Sequence, residues 1–103
     1  MPLPIDDDTT IVRPDGLSVR RRRHELSFSP RDLVDAIALA QERATGLRTT
    51  ITPVQLSGIE ERGEGVPWAM LRLVASGLDC DPVDILAPEG DDEAEEEERF
   101  ATR

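Results

Sequence analysis

The 103-residue chain contains no lysine, asparagine or tyrosine, and it has one cysteine, one histidine and one tryptophan. A single cysteine excludes an internal disulfide and a cysteine-rich zinc site, so Cys80 is interpreted as a small reduced hydrophobic residue. No apolar run approaches the roughly 18 residues of a membrane-spanning helix, and the N-terminus lacks the basic and then apolar order of a secretory signal. The missing residue types have AT-rich codons and all 12 basic residues are arginine. We therefore expect a cytoplasmic protein without a membrane segment, from a GC-rich bacterial or phage genome.

The groups that most enzymes require are also scarce. His24 is the only histidine and lies in a run of arginines, and no glycine-rich phosphate loop follows a predicted strand. Neither His24 nor Cys80 can be assigned a partner that would make a nucleophile and base pair. The acids of residues 91–98 can attract divalent cations diffusely, but they lack the fixed geometry of a metal site. The sequence predicts a protein that is not an enzyme and that has no cofactor and no metal.

Negative charge is concentrated at the two ends of the chain. Residues 1–15 have a net charge of −3, residues 89–103 have −6 and residues 16–88 have only −1, which together make −10. Neither end shows an apolar period, and the like charges of the second end repel one another. We predict a flexible acidic arm at 1–15, one helical domain at 16–88 and a disordered acidic tail at 89–103. A short strand at Ile11 and Val12 is the alternative for the arm.

Apolar periodicity divides the middle of the chain into five helices, which predicts an all-α domain. Their expected ranges are 17–26, 30–45, 53–62, about 67–77 and a short helix from 82. Glycine favours the left-handed conformation in which many helices end, so Gly46, Gly63 and Gly77 are the predicted ends of the second, third and fourth helices.

The second and third helices share one start signal. Ser29 precedes a proline and lies three residues before Asp32, and Thr52 precedes a proline and lies three residues before Gln55. These are the spacings of a capping box with proline at the first helical position. A long capped helix followed by a short capped helix indicates a helix-turn-helix, whose second helix usually enters the major groove of DNA.

The order of these signals resembles the Cro/C1-type (XRE-like) helix-turn-helix family of bacterial and phage repressors. The segments that carry the resemblance are Val19-Arg20, Arg22-Arg23, Ser27-Phe28-Ser29, Asp32-Leu33-Val34, Glu60-Glu61-Arg62-Gly63, and Pro67 with the leucine-rich stretch that follows it. The resemblance covers about residues 17–87. It implies a compact five-helix lambda-repressor-like DNA-binding domain that regulates transcription as a homodimer on operator DNA.

The family resemblance also implies a structural ion pair. In the family, an arginine of the first helix commonly pairs with the glutamate that ends the third helix. The matching residues here are Arg23 and Glu60, with Glu61 as the alternative acid. Such a pair would tie the two helices together and set the angle between them.

Contacts with double-stranded DNA are predicted around the two helix starts. Gln55 and Ser57 are the expected base readers, and Val54 suits the methyl group of thymine. The expected phosphate contacts are Arg20, Arg21, Arg31, Arg48, Thr49, Thr50, Thr52 and Arg62. For the three threonines, loop polarity and capping are an equally good explanation. Completion of the capping box is an equally good explanation for Gln55.

The chain departs from the family pattern where the family reads bases. About residues 39–48 lengthen the connection between the second and third helices, and one residue is inserted near Glu61. Arg22 replaces an expected apolar residue, and Val54 and Gly58 stand where polar readers are common. These departures keep a second interpretation open.

The second interpretation is a protein-interaction module on the same fold, with weak or lost DNA binding. It would be antitoxin-like, antirepressor-like or polymerase-contacting, and its partner would be a basic protein that binds the acidic tail. Exposure of Trp68 and Met70 together would favour this interpretation, and burial of both would leave it unsupported.

Overall fold

The computed structural model of the chain describes residues 8–87. Its elements in chain order are the strand β1 Ile11–Val12, the helices α1 Gly16–Glu25, α2 Pro30–Thr45 and α3 Pro53–Ser57, the π-helical turn Gly58–Arg62, the strand β2 Val66–Pro67, the helix α4 Trp68–Leu78 and the 3₁₀ helix Pro82–Ile85. The domain is compact and mostly helical, with one small antiparallel sheet in which β1 pairs with β2.

The core lies where α2 packs on α4, the most extensive helix contact in this part of the chain. Leu33 and Ile37, which are four positions apart on α2, face inward together because an α-helix repeats every 3.6 residues. The buried apolar side chains are Val12, Val19, Leu33, Ile37, Ala38, Ile51, Leu56, Ile59, Val66, Leu71, Val74, Ala75, Leu78 and Ile85. Apolar side chains from every helix therefore meet in one cluster.

Both predicted capping boxes are present. The backbone N–H of Asp32 donates to Ser29 Oγ over 3.0 Å, and the N–H of Ser29 donates back to Asp32 Oδ2 over 2.9 Å. At α3, the N–H of Gln55 donates to Thr52 Oγ1 over 3.1 Å, and the N–H of Thr52 donates to Gln55 Oε1 over 2.9 Å. The sequence signals therefore fix where both helices begin.

Two of the three predicted helix ends are confirmed. Gly46 ends α2 at φ 84° and Gly63 ends the π turn at φ 60°. The prediction that Gly77 ends α4 is wrong, because Gly77 is buried inside the helix and Asp79 takes the left-handed conformation at φ 57°. A side chain at 77 would lie 2.5 Å from Ile37 Cγ1, so this glycine permits the close packing of α4 on α2.

The prediction of five helices is only partly confirmed. Residues 8–87 contain four α-helices, and the expected fifth is the 3₁₀ helix Pro82–Ile85. Prolines at 82 and 88 leave room for little more than one helical turn, since a residue before proline disfavours the α conformation. The third helix also has only five α-helical residues before the π turn begins.

Residues 8–15 lie against the domain, although the sequence favoured a flexible arm over residues 1–15. Ile11 pairs with Pro67 and Val12 with Val66 in the sheet, and Pro14 forms a bridge with Leu86. The short strand that was the alternative for Ile11 and Val12 is therefore present. The rest of the predicted arm, residues 1–7, and the predicted acidic tail, residues 89–103, lie outside the described residues.

Candidate nucleic-acid interface

The connection between α2 and α3 is a seven-residue segment, residues 46–52, held against α2 at several points. Ile51 is buried, while every other residue of the segment is exposed. Thr50 Oγ1 donates to the carbonyl of Val34 over 2.7 Å, and Arg48 Nη1 lies 2.9 Å from Glu42 Oε1. A tight helix-turn-helix connection has three to four residues. The longer connection here exposes Arg48 and Thr49 beside the start of α3.

The face of α3 that points away from the core is formed by few side chains. Leu56 is buried, whereas Val54 is 74% exposed and Gln55 is also exposed. Gln55 Oε1 accepts from the backbone of Thr52, so the Nε2 amide is the donor that remains for another group. Ser57, the other predicted base reader, is half-buried. The capping role proposed for Gln55 and Thr52 is thus present, and it leaves the Nε2 amide group of Gln55, with its two N–H donors, for a ligand.

The ion pair between Arg23 and Glu60 is present and buried. Arg23 Nε lies 2.8 Å from Glu60 Oε2 and Nη2 lies 2.9 Å from Oε1, which is a bidentate pair. Only 7% of Arg23 and 9% of Glu60 is exposed. The third nitrogen, Nη1, donates to the carbonyl of Phe28 over 2.9 Å. The hydrogen bond to Glu60 raises the pKa of Arg23, more than burial lowers it, so the guanidinium stays charged.

This pair joins α1 to the turn that follows α3. Glu60 is in the middle of the π turn, and Gly16 at the start of α1 packs so closely on the same turn that an added Cβ would lie 2.5 Å from the Glu60 carbonyl oxygen. A π turn holds an additional residue within a helix. The π turn includes Glu61, near which the sequence predicted an inserted residue.

The four consecutive arginines of α1 have four different environments. Arg20 is half-exposed with Nε 3.6 Å from Glu60 Oε1, Arg21 is exposed, and Arg23 is buried. Arg22 donates from Nε to the carbonyl of Leu78 over 3.1 Å and from Nη2 to that of Asp79 over 3.4 Å. The sequence showed only that Arg22 replaces an apolar residue. Its long-range role at the end of α4 had no local signal.

The remaining predicted phosphate contacts are exposed. Arg31 has no acid within 4 Å among residues 8–87, and neither has Arg21. Arg62 Nε lies 2.7 Å from Glu64 Oε2, and this hydrogen bond raises the pKa of Arg62. Glu64 was absent from the predicted site. Its spacing of two residues from Arg62 was the only signal available.

The single thiol and the single imidazole of the described chain have different environments. Burial raises the pKa of the Cys80 thiol, an effect that the charge of Asp84 increases and that of Arg22 opposes. His24 is exposed. No group of three histidine, cysteine or acidic side chains within residues 8–87 could hold a metal ion.

Trp68 and Met70 are both half-buried and pack against the core, so they do not form the exposed patch that would favour a protein-interaction module.

None of the helices in residues 8–87 has the length and apolar character needed to span a membrane. No protein-family model, curated protein or solved structure has a significant match to this chain.

Proposed function

We propose that this protein is a DNA-binding transcriptional regulator of the Cro/C1 type, with a lambda-repressor-like domain whose α2 and α3 form a helix-turn-helix. The outward face of α3 carries the proposal. Val54 and Gln55 are exposed on the second of two capped helices, while Leu56 on the opposite side is buried. A helix that is anchored on one side and open on the other can enter the major groove, which is wide enough for an α-helix.

The proposed base contacts follow from the donors that remain free. Gln55 can donate from Nε2 to adenine N7 and accept from adenine N6 at Oε1, since this oxygen has a second lone pair beyond the one used by Thr52. Val54 can contact a thymine methyl. The Arg23–Glu60 pair supports this arrangement, because it holds the end of α3 at a fixed place on α1.

The proposed phosphate contacts use exposed side chains whose interactions within the protein contribute little to stability. Arg48 is paired with Glu42, but 58% and 50% of the two side chains are exposed. Exposed ion pairs contribute about 0–1 kcal/mol, so DNA phosphates can replace Glu42 at little cost. Arg31 and Thr49 flank the same two helix starts. As a homodimer, the protein would contact two half-sites about 34 Å apart, one turn of DNA.

The first test is binding of the full-length protein to DNA from its own upstream region, compared with a random duplex, at two salt concentrations. A regulator binds its own region in preference at the higher salt, because base contacts depend less on salt than phosphate contacts do. Arg48→Ala should weaken binding to both duplexes. Gln55→Ala should weaken only the specific binding.

Gln55→Glu is the matched control for the capping role. Glutamate at this position keeps the oxygen that accepts from Thr52 but lacks the Nε2 donor. The added carboxylate repels the phosphates of both duplexes, so a loss of specific binding that exceeds the loss for the random duplex, with unchanged thermal stability, assigns the effect to the base contact of Nε2. If the wild type binds both duplexes weakly and loses both equally at the higher salt concentration, the proposal is contradicted.

A protein-interaction module remains the second candidate. The observation that favours it is the exposure of two apolar side chains near the proposed DNA face, Leu47 and Val54, together with the exposed acid Glu61. Such a surface suits a partially apolar partner, and the basic character expected of that partner follows from the acidic residues 89–103. Salt-sensitive binding of the wild type to both duplexes without preference, together with capture of a basic partner, would support this candidate.

The acidic C-terminal residues 89–103 would limit non-specific binding by competing with phosphates for arginines. Deleting them should tighten binding to the random duplex. Unchanged affinity after the deletion would show that the tail has no such role.

A further inference from the structure

An ion pair covers the place where the outward face of α3 continues into the π turn. Gly58 is four residues after Val54 and shares its side of the helix. A Cβ at Gly58 would lie 2.5 Å from Glu64 Oε1 and 3.3 Å from Arg62 Nη2. The two charged side chains therefore lie directly over the glycine, and Gly58 is buried beneath them.

The geometry of the pair leaves the end of the guanidinium free. Arg62 donates to Glu64 Oε2 from Nε over 2.7 Å, and this is the only hydrogen bond of its side chain within residues 8–87. The two terminal nitrogens, Nη1 and Nη2, remain available as a pair of parallel donors. The side chains of Arg62 and Glu64 are 57% and 54% exposed, so a ligand can reach them.

A parallel pair of donors matches one base edge in the major groove. Guanine presents O6 and N7 side by side, and a bidentate arginine is the commonest specific contact to this base. A phosphate can also bind such a fork, but Glu64 opposes it. Unlike Glu42, which is six residues from Arg48, Glu64 is two residues from Arg62 and lies over Gly58, so its carboxylate stays beside the guanidinium and repels a second anion. The carboxylate of Glu64 thus favours a neutral base edge over the DNA backbone.

We propose that Arg62 reads a guanine in the major groove and that Glu64 is the positioning residue that holds its guanidinium over Gly58. This inference rests on the proposed function, since it requires α3 to face DNA. It replaces the phosphate contact expected for Arg62 with a base contact. Gly58 is required for this arrangement, because any side chain at this position would displace the Glu64 carboxylate from the helix.

The test is a selection of full-length protein against duplexes that contain about 20 random base pairs, followed by sequencing of the bound fraction. The wild type should enrich guanine at one position of each half-site. Arg62→Lys keeps the charge but loses the two parallel N–H donors of the guanidinium. The guanine enrichment should therefore fall at least about 5-fold and by as much as about 100-fold. The total amount of bound DNA should change much less.

Two further variants test Glu64 separately. Glu64→Gln removes the repulsion of phosphates, so affinity for random duplex should rise and the dependence of log affinity on log salt should steepen by about one phosphate contact. Gly58→Ala keeps both charged residues but displaces Glu64, so it should reduce guanine enrichment in the same way. Arg72→Lys is the control, because Arg72 of α4 forms a similarly exposed ion pair with Asp8, and this substitution should leave both measurements unchanged.

Guanine enrichment that persists in Arg62→Lys would overturn the inference while leaving DNA binding intact. Enrichment that is lost in Arg62→Lys but retained in both Glu64→Gln and Gly58→Ala would overturn the positioning role of Glu64. A wild type that enriches no duplex at all would overturn both the inference and the proposed function.

Discussion

At the scale of single residues, the Arg23–Glu60 pair is the feature that most constrains the proposed site. Both groups are buried, and each nitrogen of the Arg23 guanidinium has an acceptor within 2.9 Å. No buried side-chain donor or acceptor in the described chain lacks a hydrogen-bond partner. Removing one side of such a pair leaves a buried charge without compensation, which is far more costly than the net value of the intact pair.

Glu60→Ala is therefore expected to lower the free energy of unfolding by about 3–5 kcal/mol, measured by urea denaturation. The double substitution Arg23→Met with Glu60→Leu should recover most of this loss, because apolar residues of similar size satisfy the same site. Arg48→Ala, which removes one side of an exposed pair, should cost no more than about 1 kcal/mol. Equal effects of Glu60→Ala and Arg48→Ala would contradict a structural role for the buried pair.

Cys80 provides a residue-scale prediction that depends on pH. Burial raises the pKa of its thiol, so at about pH 8 the folded protein should react with iodoacetamide several times more slowly than the chain unfolded in urea. Asp84→Asn removes a charge that raises this pKa and should speed the reaction of the folded protein. Because the unfolded thiol ionises first, the stability contributed by the protonated thiol should decline as the pH rises above the ordinary thiol pKa. Equal rates in the folded and unfolded chain would contradict this environment.

At the scale of elements, α4 is shaped by partners far along the chain. Arg22 of α1 donates to the carbonyls of Leu78 and Asp79, which are the groups that a helix C-terminus leaves without partners. A cation at this end also complements the helix dipole. These contacts provide partners for carbonyls at the end of α4, and they explain why a charged residue stands where an apolar one was expected.

Substitution by alanine is expected to change stability in opposite directions at two glycines in helices. Gly58→Ala should raise the free energy of unfolding by about 0.5–1 kcal/mol, since alanine favours a helix and only the flexible ends of the Glu64 and Arg62 side chains must move. Gly77→Ala should lower it by about 1–3 kcal/mol, because the new methyl group meets the side chain and backbone of Ile37. Thermal denaturation of both variants measures the difference. A stabilising Gly77→Ala would contradict close packing of α4 on α2.

At the scale of the whole molecule, residues 8–15 connect parts of the domain that are distant in sequence. The carbonyls of Thr10 and Asp8 accept from the backbone N–H groups of Trp68 and Ala69, which begin α4. The N–H of Asp15 donates to the carbonyl of Ile85, and Arg13 accepts from Ala87. The segment thus supplies hydrogen-bond partners both to the start of α4 and to the end of the described chain.

Val12→Ala should lower the free energy of unfolding by about 1–3 kcal/mol, because the side chain is buried in the core beneath the sheet. It should also speed hydrogen exchange at the amide of Trp68, which donates to Thr10. Ile11→Ala is the matched control, since Ile11 is exposed on the other side of the same strand, and it should change stability by less than about 0.5 kcal/mol. Similar effects of the two substitutions would show that the segment is not anchored by Val12.

The sequence by itself determined the features that depend on neighbours within a few residues. The starts of α2 and α3 follow from Ser29 and Thr52 and the residues three positions later, and the ends of α2 and the π turn follow from Gly46 and Gly63. The Arg23–Glu60 pair crosses 37 positions, and it was accessible only through a family resemblance.

The tertiary structure alone decided the features that require contacts between distant segments. Nothing near Arg22 indicates that it reaches Leu78, 56 positions away, and nothing near Gly77 indicates that Ile37 fills the space beside it. The Arg62–Glu64 pair is local in sequence, but only the folded backbone shows that it lies over Gly58 at the end of α3. Local hydrogen bonds fix where a helix begins and ends, whereas the role of a surface charge depends on what the folded chain brings beside it.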